Sequence, residues 1–186
     1  MREFGSSSLS LAGSLLIAHP SLLDPNFCKT VLFLSTNDAA EGSFGVVLNR
    51  PAGSTVADVL PDQELGKLGR VPVLIGGPVS PDQLIFAAFR WHPADKRMEC
   101  KHHLVIEEAH AALEAGDTVV RAFIGYAGWS KGQLEAELAQ HAWLVMKPDR
   151  EILRIGRMAT IWRETLSVFG PWYRLVAEAP DDPSRN

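Results

Sequence analysis

The chain has 186 residues, enough for one domain with a substantial core and too few for two of ordinary size. Its 18 Lys and Arg stand against 22 Asp and Glu, a net charge of −4, so its overall field disfavours phosphate backbones and makes nucleic acid a poor partner. Cys28 and Cys100 are the only cysteines, which excludes a disulfide scaffold and suits a reducing compartment.

Residues 1–8 are small and polar and read as a flexible N-terminus. The domain is expected over 9–176, with a flexible tail over 177–186, whose last part is polar and holds two prolines. Leu9 to Ala18 is apolar, but Arg2 is offset by Glu3, Ser10 and Ser14 interrupt the run, and it falls far short of the ~20 residues that span a bilayer. No membrane association and a cytoplasmic location are therefore expected. Residues 14–18 read as the first core strand, ended by His19-Pro20. Asp24-Pro25-Asn26 predicts a turn, and 27–34 a second strand buried on both faces. Glu41-Gly42-Ser43 turns into a third strand over 44–48, which delivers Asn49-Arg50-Pro51 at its end. Ser54 is positioned to cap a short helix carrying Val56, Val59 and Leu60 before Pro61.

Residues 71–75 read as a strand entering Gly76-Gly77-Pro78-Val79, with Pro72 suited to an edge or a strand start. Ser80-Pro81-Asp82-Gln83 has capping-box spacing and predicts a single helical turn. A strand over 84–89, a polar turn over 91–97, a strand over 99–106 and a helix over 107–115 closed by Gly116 follow. Thr118 to Ile124 predicts a buried strand, and Gly125-Tyr126-Ala127-Gly128 a glycine turn. Ser130 with Gln133 predicts a capping box opening a helix that carries Leu134 and Leu138. Residues 143–146 predict the last strand, Asp149 the cap of a further helix, and 158–169 a helix with Ile161, Trp162, Thr165 and Leu166 on one apolar face. Strands outnumber helices without alternating with them. This argues for an α/β fold of the α+β type, a single compact domain with a mixed β-sheet flanked by helices.

Three strand ends hold the candidate functional residues. At Gly125 to Gln133, Tyr126 and Trp129 offer aromatic walls and Gln133 an amide beside the unpaired N–H groups of a helix start, an arrangement suited to an anion. The alternative is a tight turn whose aromatics pack in the core. Arg50, beside Asn49, is able to pair with a carboxylate or phosphate; the alternative is an Asn turn with a structural Arg. Gly76-Gly77 lets backbone approach a ligand, though a plain turn explains it as well. If the three ends converge, Asn49, Arg50, Gly76, Gly77, Tyr126, Gly128, Trp129 and Gln133 line one site for a small anionic ligand. Exposed Trp162 or Trp172 would mark a subunit interface, against core burial as the commoner fate.

Cys100, His102 and His103, flanked by His92 and His110, raise the question of a metal. On a regular strand Cys100 and His102 share a face and His103 points away, and no second pair has zinc-finger spacing, so no metal is expected. Gly-x-Gly-x-x-Gly, Walker and Gly-x-Ser-x-Gly motifs are absent, and Cys28 falls in an expected buried strand. No catalytic residue and no cofactor are assigned. Glu135 and Glu137 point to different helix faces, leaving Glu137 free to approach Gln133.

Three blocks taken together resemble one known family. They are Gly13-Ser14-Leu15-Leu16-Ile17-Ala18 with Pro20, Asp24, Phe27 and Gly45-Val46-Val47-Leu48-Asn49-Arg50-Pro51; Gly76-Gly77-Pro78-Val79; and Gly125-Tyr126-Ala127-Gly128-Trp129 with Gly132-Gln133-Leu134-Glu135, Glu137 and Trp143. In this order, over about residues 10 to 165, they resemble the bacterial YqgE/AlgH family. The resemblance implies a single mixed α/β domain with a small inserted β portion at about 84–110. Thr36-Asn37 and Ala87-Ala88 stand where members often carry a histidine-containing pair, so chemistry by those histidines does not transfer. Members are commonly labelled transcriptional regulators, a label without a mechanism. The reading that results is a non-catalytic regulatory protein binding a small anionic ligand or a protein partner. The alternatives are an enzyme acting on an anionic metabolite at the same loops, and a DNA-binding regulator, for which no helix-turn-helix signature or basic recognition helix is present.

Overall fold

In the computed structural model, which describes residues 10–38 and 40–179, the apolar runs form a nine-stranded mixed sheet. Strand β1 (Leu15–Ala18) lies between β2 (Val31–Asp38) and, on its other side, a strand from late in the chain, Trp143–Met146. Leu15 and Ile17 face one core, and Leu16 and Ala18 another. Both sheet faces are covered, which is why the strands read as continuous apolar runs rather than alternating ones.

The second strand starts at Val31, later than its composition predicts. Residues 24–29 coil in turns, with the Asn26 and Cys28 N–H groups bonding Asp24 oxygens, each at 2.7 Å. Cys28 is therefore in a turn rather than a buried strand. β2 then passes through a bulge at Ser35 to reach Asp38, and β3 (Gly42–Val47) pairs back along it. A short strand β4 (Pro51–Thr55), not foreseen, leads into helix α1 (Val56–Val59), whose cap is Thr55 rather than Ser54. The Asp58 carboxylate holds that start by accepting from the Thr55 N–H at 2.7 Å and its hydroxyl at 2.8 Å.

Strand β5 (Pro72–Ile75) is followed by a long hairpin, β6 (Val79–His92) and β7 (Arg97–Leu104), where the inserted β portion was expected. Residues 80–83 are no helical turn. Ser80 adopts φ +50, and the stretch bulges out between Val79, opposite Tyr126, and Leu84, opposite Ile124. Helix α2 (Ile106–Ala115) ends at Gly116, φ +74, as its sequence predicts.

Strand β8 (Thr118–Trp129) is the pivot, and it runs straight through the expected glycine turn. Its first half pairs antiparallel with β6 on one edge and parallel with β5 on the other; its end, Ala127 to Trp129, pairs with β3. The link from β5 to β6 must therefore cross β8, and it does so where Gly76-Gly77 lies on Gly125-Tyr126. A Cβ on Gly76 would overlap the Gly125 carbonyl, one on Gly77 the Tyr126 backbone, and one on Gly125, φ +68, the Gly77 carbonyl. These glycines are required because two backbones touch.

Helix α3 (Gln133–Ala139) leads to β9, the Trp143–Met146 strand beside β1. Asp149 caps no helix: its carboxylate accepts from the Glu151 N–H at 2.8 Å in a run of turns. Helix α4 (Ile161–Ser167) buries Ile161, Trp162, Thr165 and Leu166 as expected, and the Trp162 indole donates to the Ala18 carbonyl at 2.9 Å. Trp162 therefore belongs to the core, whereas Trp172 is 57% exposed. Helix α5 (Pro171–Glu178) reaches into the stretch expected as a tail. Residues 1–8 and 180–186, expected to be flexible, lie outside the described residues. No helix among the described residues is long and apolar enough to cross a membrane.

Candidate functional site

The expected strand ends meet as backbones, but most of their side chains turn elsewhere. Arg50 and β5 touch through the Ile75 N–H on the Arg50 carbonyl at 2.8 Å. The Arg50 guanidinium donates to the carbonyls of Asn26 (2.6 Å), Pro25 (2.9 Å) and Cys28 (3.2 Å), so it caps the 24–29 turns rather than facing a ligand. Asn49 accepts from the Val31 N–H and donates to the Lys29 carbonyl, both at 2.9 Å. Gly76 and Gly77 belong to the strand crossing.

Trp129 and Gln133 serve a polar hub that sequence reasoning reached only through one contact. The Glu137 carboxylate accepts from the Trp129 indole (2.9 Å), the Trp143 indole (2.8 Å) and the Gln133 amide (3.0 Å). Trp129 and Trp143 are 5% and 4% exposed, with Phe27 packed against both rings. The available signal was a Glu between two tryptophans on neighbouring elements. The Gln133 side chain also accepts from the Ser130 N–H at 3.1 Å, and the Gln133 N–H bonds the Ser130 carbonyl at 3.0 Å. Gly132, not Ser130, is the cap residue, and the start of α3 is closed on itself.

Tyr126 alone of the eight lines a large cleft, and Gly128 shapes it. A Cβ on Gly128 would come 3.3 Å from Tyr126 Cε2, so its absence lets the Tyr126 ring lean along the strand. The cleft is open, about 630 Å³ in volume, and lies between the β2–β3 hairpin and the rings of His103 on β7 and Tyr126 on β8, which flank β6. Ser35 to Asp38, Glu41 to Phe44, His103 and Tyr126 form its wall. The Phe44 ring is 5.0 Å from Tyr126 and 5.2 Å from His103, and it stacks on His102 at 4.2 Å. Asn37 fastens the hairpin by donating to the Ser43 hydroxyl at 2.9 Å and accepting from the Leu11 N–H at 3.1 Å. Asp38 accepts from the Glu41 and Ala40 N–H groups, which hold its carboxyl below the ordinary range.

Two backbone irregularities border this cleft: the Ser35 bulge and His103 at φ +57. The second overturns the expectation that His102 and His103 point apart. Left-handed backbone breaks the strand's alternation, and the two Nδ1 atoms lie 2.6 Å apart, a contact that needs one proton between them. Burial first, and then His103, pushes His102 towards its neutral form. Among the described residues no group of three or more His, Cys, Asp and Glu is placed to hold a metal. Cys100, mostly buried on the same strand, has its thiol pushed up to about 12 by burial and stays protonated at neutral pH.

Comparison with known proteins gives one consistent result. The family described as AlgH-like matches residues 15–174. A UPF0301 protein of Streptomyces coelicolor is 39% identical over 188 residues, covering 95% of this chain and 96% of its own. One from Mycobacterium leprae is 32% identical over 185 residues, covering 94% and 90%. The solution structure of the AlgH protein from Pseudomonas aeruginosa superposes with a TM-score of 0.63 at 28% identity, over 98% of this chain and all of that one. A Corynebacterium diphtheriae crystal structure, at 21% identity, shares the fold with a TM-score of 0.69 over 90% and 92% of the two chains.

Proposed function

This chain belongs to the AlgH-like family, and from that premise we propose that it is a non-catalytic protein that binds a small molecule in the cleft between the β2–β3 hairpin and the rings of His103 and Tyr126. The observation that carries the reading is the convergence of three rings, Phe44, His103 and Tyr126, with the polar hairpin residues Thr36, Ser43 and Glu41 on one 630 Å³ space. That volume and that mixture of aromatic wall and few polar groups suit a small-molecule site. The irregular backbone at Ser35 and His103 supports it, because bulges and left-handed residues re-aim side chains at sites of function.

Binding is favoured over turnover by the state of the reactive groups nearby. Among the described residues no cysteine lines the cleft, and the His103 Nδ1 is tied to His102 rather than to a nucleophile. An anion at the three strand ends is a weaker reading, since the Arg50 donors already meet carbonyls.

The test is a library of small ring compounds followed by amide chemical shifts in the purified protein. Ligands should move the amides of Thr36, Glu41, Ser43, His103 and Tyr126 together. At about 100 times its dissociation constant a ligand should add ~2.7 kcal/mol of stability, a rise of several degrees in Tm. Shifts confined to other cavities, or none at all, would refute the assignment.

A further inference from the structure

We propose that the ligand of this cleft is a cationic aromatic amine: a flat ring bearing, on a short arm, a protonated nitrogen. This rests on the cleft being the binding site, and it reverses the sign of charge that the sequence suggested.

The first observation is the charge around the space. Asp38 and Glu41 line it, and among the described residues neither a lysine nor an arginine does. The Asp38 carboxyl stays ionised because two backbone N–H groups point at it, the Glu41 N–H foremost. The Glu41 side chain takes no hydrogen bond and no ion pair among the described residues, so it is available to a ligand. Among the described residues the cleft's one basic group is His103, bonded at Nδ1 to His102, so that a single positive charge on this pair still leaves two carboxylates against it. The other large groove, about 540 Å³ between α2 and the β6–β7 hairpin, is charge-balanced: Arg90 and Lys101 against Glu99 and Glu108. A net negative wall thus distinguishes the hairpin cleft from that groove.

The second observation is independent of charge. Phe44 and Tyr126, centroids 5.0 Å apart and tilted by 36°, are half-buried and line the same cleft as those carboxylates. Ring faces attract a cation through their quadrupole and stack on another ring, so the same wall accepts both halves of an aromatic ammonium. An anion would meet the repulsion of Asp38 and Glu41 together with the negative ring faces.

Three compounds sharing one ring separate the possibilities: tryptamine, 3-methylindole and indole-3-propionate, titrated against the full chain while cleft amides are followed. The expected order of affinity is tryptamine, then 3-methylindole, then the carboxylate, with the two ends differing by on the order of tenfold or more at low salt. Glu41→Gln, a change at an exposed turn, should leave Tm unaltered and cut the tryptamine preference to roughly a few-fold; 0.5 M salt should do the same. If the carboxylate binds as well as the amine at the same amides, the proposed charge is wrong while the site stands. If none of the three moves the cleft amides while another compound of the ring library does, the ligand class is refuted and the site stands; if the library fails as well, both are refuted.

Discussion

Replacing Glu137 with alanine removes the acceptor of two indoles at once. Trp129 and Trp143 are buried to within 5% and 4%, so water does not reach their N–H groups without opening the packing against Phe27. Each orphaned indole N–H costs about 1–2 kcal/mol, while the Gln133 contact, on an exposed side chain, adds little. The expected loss is therefore about 3 kcal/mol, a Tm lower by roughly 6–12 °C for a chain of this size. Glu137→Gln is the control. Both indoles meet the same oxygen, Oε2, so an amide oxygen turned the same way keeps both bonds; it loses their charge assistance, about 1 kcal/mol, and the exposed Gln133 contact, since an NH2 then stands where Oε1 accepted. Urea unfolding followed by tryptophan fluorescence measures both variants. If the alanine and glutamine variants fall within about 0.5 kcal/mol of each other, the carboxylate is not the tie that holds the α3 corner.

Gly125→Ala, at φ +68 and against the Gly77 carbonyl, should cost about 3 kcal/mol or more, whereas Gly132→Ala, at φ +76 with open space, should cost only about 1–2 kcal/mol for its left-handed backbone; urea midpoints decide. Arg50→Ala should lower stability by roughly 2 kcal/mol through three uncapped carbonyls and leave tryptamine binding unchanged, which a titration of the folded variant checks. Iodoacetamide at pH 8 should label Cys28 and spare Cys100, whose thiol is pushed up to about 12; mass spectrometry before and after unfolding shows which site reacts. The folded state lowers the pKa of His19 and of His102, burial being the larger cause in each, so the unfolded chain binds the extra protons. Stability should be full above ~6.5 and fall towards pH 5, with a shallower fall in His102→Gln, as read from Tm against pH.

How much of this was legible in the sequence depended on which forces set each feature. The first and last strands, the buried face of α4 and the end of α2 follow from apolar runs and Gly116, because local pattern and burial agree there. The glycine stretch misled for a physical reason. Gly125 and Gly128 look like a turn when read along the chain, yet their smallness answers contacts with Gly77 and Tyr126, which only the fold brings near. Ser80-Pro81-Asp82-Gln83 carried a sound cap signal, and strand pairing on both sides overrode it. Of the residues lining the proposed cleft, Tyr126 was among those expected at a site from sequence, His103 was weighed only as a metal ligand, and Phe44 and Glu41 were not singled out. Their meeting depends on a bulge and on one left-handed residue, neither of which leaves a mark in composition.

The crossing of β5–β6 over β8 has a consequence for synthesis from the N-terminus. β8 is bonded on its edges to β3, β5 and β6, all of which leave the ribosome before it. Until residue 129 is available, those three strands emerge with their central neighbour missing and their apolar edges open. The pairs β1–β2–β3, β4–β5 and β6–β7 are made of strands that precede β8 and are free to form as the chain appears, but joining them into one sheet waits for the strand that all three groups share.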